Sequence, residues 1–209
     1  KGIIKKTALS EYKNIRVNGI NAISIEEGDE LIGAKITDGN SEVFMTSASG
    51  MSIRFSEKDV RAMGRTAYGV YGMSLEDGDS VVGMDVIFPE QAAEILVISE
   101  LGYGKRTPVS EYRSQTRGGK GILTLKVTDK TGNLVSARSV DSKEDLMLVS
   151  SRGKLIRMQI ADIRETGRNA QGVRLMNVEA GEKVVAAENL PADPEAANSA
   201  SEPTEPTAH

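Results

Sequence analysis

Cysteine is absent from the 209 residues, and the single histidine is the last residue, His209. The first absence removes disulfides and thiolate metal sites and fits a reducing cytosol. The second removes any Ser-His pair or histidine-ligated metal from the body of the chain. Tryptophan is missing too, and only five Tyr and three Phe are present, too few for the base-stacking platforms that single-strand binders use. No apolar run approaches the roughly 18 residues that span a bilayer, and no signal-peptide pattern opens the chain. The sequence begins on Lys1 rather than methionine, as expected of a piece of a longer polypeptide.

Proline is scarce until the end. Four of the six prolines fall in the last stretch, "PADPEAANSASEPTEPTAH" (191–209), with four acids and no Lys or Arg. Lacking aromatic and β-branched apolar residues, this stretch cannot offset its ordering entropy and reads as a disordered acidic tail. The remaining body, residues 1–190, has 26 bases and 26 acids and is neutral overall.

What the body does have is a repeat. "EVFMTSASG", "EILVISELG" and "DLMLVSSRG" end at Gly50, Gly102 and Gly153, and each is followed by a short segment with a base at the same offset, "GMSIRF", "GYGKRT" and "GKLIRM". "GIIKKT" from Gly2 fits the same template, so units start near 2, 50, 102 and 153, and Lys6, Arg54, Arg106 and Arg157 are equivalent. Tyr12, Val60, Tyr112 and Ile163 align without a gap. Each unit reads as four strand-like segments, for example "IIKKT", "NAISI", "LIGAKIT" and "VFMTS", with at most a helical turn or two, as in "SEKDVRAMG". Four strands per repeat of about fifty residues predicts an all-β, propeller-like array of blades. "EEGDELIG", "EDGDSVVG" and "EAGEKVVA" read as solvated hairpin turns in which glycine supplies positive φ. The alternating oxygen ligands of a calcium loop are missing from them.

Charge is sorted by position within the repeat. The segments 2–19, 50–70, 102–122 and 153–173 sum to +11, whereas 20–49, 71–101, 123–152 and 174–190 sum to −12. Stacked units would line up the basic halves, a pattern suited to a long, regularly charged polyanion such as duplex DNA. The loop "QTRGGKG" (115–121) sits in one of these halves. A phosphate-binding Walker loop needs a glycine separated by four residues from its Gly-Lys pair and Ser or Thr after it; Ser114 and Gly121 stand there instead. The remaining reading is a loop whose Arg117, Lys120 and Gln115 donate while Gly118 and Gly119 let the backbone approach a phosphate. "GRTAYG" and "GRNAQG" parallel it and keep Arg65 and Arg168.

"QTRGGKG" resembles the QRRGGKG box of the bacterial DNA gyrase A family, with Thr116 in place of an arginine. "GYGKRTPVSEY", "GDELIG", "VRAMGRTAYGV" and "GRNAQGV" extend the resemblance to the C-terminal domain of that family, from Lys1 to about Leu190. The resemblance implies a β-pinwheel, with about four of the family's usual six blades present. It also implies a non-catalytic domain that wraps duplex DNA around a basic outer rim and supports ATP-dependent negative supercoiling. Its partners would be the gyrase B subunit together with the rest of the A subunit, in the cytoplasm at the nucleoid and with no membrane. No cofactor is expected in this chain; ATP and Mg, like the strand-cleaving tyrosine, belong elsewhere in the holoenzyme. The box stands in the third unit here, whereas the family carries it in the first blade. The candidate DNA contacts are Lys5, Lys6, Arg16, Arg54, Arg61, Arg65, Lys105, Arg106, Arg113, Gln115, Arg117, Gly118, Gly119, Lys120, Gly121, Arg157 and Arg168. The rival readings are a propeller used as a protein-interaction scaffold and the equivalent domain of a topoisomerase IV A subunit.

Overall fold

The computed structural model describes residues 1–15, 17–89 and 94–191; Arg16 and the acidic tail beyond Pro191 lie outside the described residues. Thirteen strands follow in chain order: β1 (Ile3–Ile4), β2 (Glu42–Ser47), β3 (Met51–Ser56), β4 (Val70–Tyr71), β5 (Val81–Ile87), β6 (Glu94–Ser99) and β7 (Tyr103–Pro108). Then come β8 (Ile122–Leu123), β9 (Leu134–Val140), β10 (Asp145–Ser150), β11 (Leu155–Gln159), β12 (Val173–Arg174) and β13 (Val184–Leu190). Short 3₁₀ turns at Leu9–Tyr12, Glu57–Asp59, Val109–Glu111 and Ile160–Asp162 are the helical turns read from the sequence, and no α-helix occurs among the described residues.

Each full unit is built on a hairpin. β2–β3, β6–β7 and β10–β11 pair antiparallel, with the repeated base opposite an apolar residue: Phe44 faces Arg54, Leu96 faces Arg106 and Met147 faces Arg157. The other edge of each first strand is taken by β5, β9 and β13, and every such pairing ends in a one-residue register shift, at Thr46/Ser47, Ile98/Ser99 and Val149/Ser150. The fourth strand comes from the next unit. β8 pairs with the start of β3 (Ser52 with Ile122), β12 with the start of β7 (Gly104 with Val173), and β4 with β1. Two blades are therefore four-stranded, and the last sheet, β11-β10-β13, has three strands among the described residues.

Blades stack face to face, so a central strand buries both of its faces. Ile95 and Val97 of β6 join Phe44, Tyr112 and Leu125 in one core, while Leu96 and Ile98 join Leu146, Leu148 and Ile163 in the next. This explains why "ILVI" (95–98) is continuously apolar rather than alternating. Phe44 and Tyr112 meet edge to face with centroids 4.9 Å apart, and the Tyr112 hydroxyl is 2.6 Å from Thr124 Oγ1. A third core holds Val43, Met45, Ile53, Phe55 and Met73.

The first unit departs from the expectation. Of its four strand-like segments only Ile3–Ile4 and "VFMTS" lie in strands; "NAISI" and "LIGAKIT" carry none. In later units the counterpart of "LIGAKIT" is β5, β9 or β13, each paired with the hairpin strand that closes the preceding unit. In the first unit Leu31, Ile32 and Ile36 are exposed. A groove of about 1220 Å³ runs between this segment, β1 and the β2–β5 face.

Candidate nucleic-acid interface

The base that recurs after each unit's first glycine is engaged within the protein, half-buried at Lys6, Arg54 and Arg106 and exposed at Arg157. Arg54 donates from Nε to Glu42 Oε2 (2.6 Å) and from Nη1 to the carbonyls of Val109 and Tyr112 (3.0 Å each). Arg106 repeats the arrangement with Glu94 (2.6 Å) and the carbonyls of Ile163 (2.7 Å) and Ala161 (3.1 Å). Arg157 donates to Asp145 (2.7 Å). Lys6 donates to the Glu57 carbonyl at 2.8 Å and lies 3.6 Å from the Glu57 carboxylate. Burial pushes Glu57 up, but donors from Thr37, Ser41 and Gly39, with Lys6, outweigh it and hold the carboxyl below its ordinary value. Arg54 and Arg106 thus tie their own blade to the 3₁₀ turn of the next one.

The arginines of the glycine turns form a second periodic tie. Arg65 donates to Asn21 O (3.0 Å), Arg117 to Tyr71 O (3.0 Å) and Arg168 to Leu123 O (2.8 Å). The three acceptors sit two residues after Gly19, Gly69 and Gly121, the same position of the preceding unit. Arg117 also donates from Nε to Asp59 O at 2.8 Å. The "QTRGGKG" loop is docked on the preceding unit by its backbone as well. Gly118 N–H donates to Gly72 O (2.7 Å), Ser74 N–H to Gly119 O (3.0 Å) and Gln115 N–H to Arg54 O (2.7 Å). The Gln115 amide nitrogen is buried without a partner among the described residues. Gly121 has φ +81°, and a Cβ there would stand 2.2 Å from Ser52 O, so only glycine fits.

Lysines sit beneath two of the three turns. Lys105 is fully buried, donating to the carbonyls of Gly167 (2.7 Å) and Arg168, and desolvation lowers its pKa to about 8. Lys5 does the same beneath the first turn (64–69), reaching Gly64 O (3.1 Å), Arg65 O and Ala22 O (2.5 Å), and burial followed by Arg65 lowers it. Beneath "QTRGGKG" the equivalent residue is Ile53, also fully buried. Lys120 points outward and pairs with Glu76 at 2.6 Å; that hydrogen bond and the carboxylate charge raise its pKa.

The outward-facing periodic bases are at another offset. Lys13, Arg61, Arg113 and Arg164 directly follow the aligned Tyr12, Val60, Tyr112 and Ile163, and all four are exposed. Among the described residues none of their side chains forms a hydrogen bond or an ion pair. Their backbone is held: the next residue in units two to four forms a parallel bridge to the preceding unit, Ala62 with Lys6, Ser114 with Arg54 and Glu165 with Arg106. Sequence reasoning named Arg61 and Arg113 but missed Lys13 and Arg164. The signal was there, since extending the gapless alignment by one residue places a base in every unit.

Comparison with known proteins supports one assignment. The family model described as DNA gyrase C-terminal domain, beta-propeller, matches four successive segments, 1–38, 41–87, 93–141 and 144–191. The DNA gyrase A subunit of Staphylococcus epidermidis (strain ATCC 12228 / FDA PCI 1200) is 50% identical over 183 residues, which is 88% of this chain and 20% of the relative. Its counterpart in Staphylococcus aureus (strain MRSA252) is 47% identical over 178 residues, 85% of this chain and again 20% of the relative. The chain therefore spans about a fifth of the length of the curated relatives it matches. Among solved structures, a DNA gyrase A C-terminal domain matches with TM-score 0.80 and 28% identity, over 90% of this chain and 62% of that one. A C-terminal domain of DNA topoisomerase IV matches with TM-score 0.86 and 25% identity, over 92% of this chain and 60% of that one. The strand-exchanged blades are thus those of a β-pinwheel, and with four family repeats in register this chain belongs to the DNA gyrase C-terminal domain, beta-propeller family.

Proposed function

We propose that this chain binds duplex DNA along the row formed by Lys13, Arg61, Arg113 and Arg164 and bends it around the array. It would do so as the DNA-wrapping, non-catalytic part of a gyrase A protein. The observation that carries the proposal is the recurrence, at one offset in all four units, of an exposed base without a partner among the described residues. Such a row neutralises phosphates at regular intervals without reading bases. Smooth bending of a 20–30 bp site costs about 1–6 kcal/mol, so several contacts must act together to offset it. Lys120 is a further contact once DNA displaces Glu76, and Arg16 lies close to Lys13 in sequence. Arg65, Arg117 and Arg168 support the surface by tying the turns to the preceding unit, and they can offer remaining N–H groups to phosphate. In this reading residues 1–190 are the DNA-binding body and 191–209 an acidic appendage. The partners are the gyrase B subunit with the remainder of the A subunit. ATP and Mg are used there for negative supercoiling, in the cytoplasm.

The test is duplex affinity across a salt series, with one DNA of about 20 bp and one several times longer. The expected result is a slope that steepens with length and falls by about one per base removed, measured for Arg61→Ala, Arg113→Ala and the double variant. A folded chain with no salt-dependent affinity would reject DNA binding and favour a protein-interaction scaffold. The likeness to the topoisomerase IV domain favours a second reading, that enzyme's equivalent domain. Relaxation without supercoiling by the assembled holoenzyme would select it.

A further inference from the structure

The acidic turn of the repeat is rewritten in the third unit. Counting from Gly19, Gly69, Gly121 and Gly172, the fifth position is Ser24, Ser74, Lys126 and Asn177, and the seventh is Glu26, Glu76, Thr128 and Glu179. The ninth is Gly28, Gly78, Lys130 and Gly181. One acid goes and two lysines arrive. The acid that caps the neighbouring hairpin is replaced as well. Asp79 accepts from the Ser49 N–H (3.0 Å) and hydroxyl (2.6 Å), and Glu182 from the Ser150 hydroxyl (2.5 Å). The third unit has the fully buried Thr131 there, whose hydroxyl accepts from Thr128 N–H at 3.0 Å and whose carbonyl accepts from Leu101 N–H at 3.1 Å. Neutral groups thus hold this turn in shape, and its geometry needs neither lysine.

Lys126 is exposed, and among the described residues its side chain makes no hydrogen bond or ion pair. Lys130 Nζ stands 5.3 Å from the centroid of the buried Tyr103 ring and the Arg174 guanidinium 5.1 Å from it, with Arg174 Nη2 donating to the Tyr103 hydroxyl at 2.6 Å. One ring therefore holds two cations in place. None of the three bases pairs with a carboxylate among the described residues. Asp129 is the one acid of residues 126–132, and nearby Glu100 is committed to Lys183 (2.7 Å) and to Asn133 N–H (3.2 Å). The cluster also continues the row of exposed bases. Arg174 lies opposite Tyr103 on β7, and Arg164 lies beside Arg106, whose N–H donates to the Arg164 carbonyl at 3.3 Å. Three residues of β7 separate the two levels, about 10 Å of extended strand. That is within the span of one major groove, about 12 Å.

We infer that the joint between the third and fourth units grips a duplex on both sides of one groove, Arg164 on the phosphates of one strand and Lys126, Lys130 and Arg174 on those of the other. The inference rests on the reading of the row as a duplex-binding surface. The corresponding turns of the second and fourth units present carboxylates instead, Glu76 with Asp77 and Glu179, which repel phosphate and confine contact there to the row. A two-sided grip at one joint fixes the rotational setting of the duplex, which a single row of bases leaves free to roll.

The absence of cysteine makes the test direct, because one introduced thiol can carry a photoreactive aryl azide. Lys130→Cys, Arg113→Cys and Asp77→Cys, each in the 209-residue chain, are labelled and illuminated with a duplex of about 20 bp. Crosslinks to DNA are expected from Lys130→Cys as from Arg113→Cys, and none above background from Asp77→Cys. In parallel, Lys126→Gln combined with Lys130→Gln should lower the salt slope of binding by about two. Both lysines are exposed, so the double variant keeps the fold, which circular dichroism checks. Crosslinking from Arg113→Cys without crosslinking from Lys130→Cys overturns the inference and leaves the row standing. A double variant with the wild-type slope, or Asp77→Cys crosslinking as well as Lys130→Cys, overturns it equally. A folded wild type without salt-dependent affinity rejects the duplex reading itself, and the inference with it.

Discussion

Gly119 and Gly121 stand two residues apart in one loop and should answer differently to a methyl group. A Cβ on Gly119 meets Ile53 Cδ1 at 3.6 Å, an ordinary contact, without a positive φ; on Gly121 it meets Ser52 O at 2.2 Å with φ +81°. Gly119→Ala is expected to change unfolding free energy by less than about 0.5 kcal/mol, and Gly121→Ala to cost about 2 kcal/mol or more, both read by urea denaturation. Lys105 offers a second test through pH. Its folded pKa of about 8 lies below the ordinary 10.5, so between these values the unfolded chain holds more protons and stability rises with pH. Below about pH 8 both states are protonated and the contribution is flat. Relative to Lys105→Met, the wild type should therefore gain stability from pH 8 to 10.5, by on the order of 1–3 kcal/mol. Denaturation of both proteins across that range checks the sign. The same residues show where sequence reasoning reached its limit. Spacing identifies equivalent positions but not which way a side chain points, so Arg54, Arg106 and Arg157 read like Arg61 and Arg113 on charge alone. A second regularity separates them: each arginine of the first set has an acid twelve residues earlier, Glu42, Glu94 or Asp145, with which it pairs.

At the level of elements, the hairpins were legible because β2, β6 and β10 each carry an acid, an apolar run and a small polar end that leads into a glycine turn. The two-residue strands β4, β8 and β12 were not, since so short a pairing has no period and exists only because the neighbouring unit presents an edge. "LIGAKIT" shows the converse, a segment with strand composition that pairs with no strand among the described residues. Blade completeness should govern local opening. Among the described residues β11 has no counterpart of the fourth strand that covers the start of β3 and β7, and one face of its sheet is only half-buried. Native-state hydrogen exchange is expected to be at least about tenfold faster at Leu155–Ile156 than at Ser52–Ile53 and Gly104–Lys105. Equal protection at the three sites would mean that the fourth strand adds no local stability.

At the scale of the molecule, a chain with net charge −4 presents basic character because position within the repeat sorts its charges, while total composition conceals it. Packing is equally local: three apolar clusters lie between successive blades, so stability is a chain of neighbour terms. The borrowed fourth strand adds a direction to that chain. Ser52 hydrogen-bonds Ile122, seventy residues downstream, and Gly104 pairs with Val173. A ribosome releases these partners in order, at about 5–20 residues per second, so every blade waits several seconds with an open edge for the unit behind it. Synthesis thus runs with a moving vacancy one unit long, and the nascent chain is most exposed to wrong pairings at the unit most recently made.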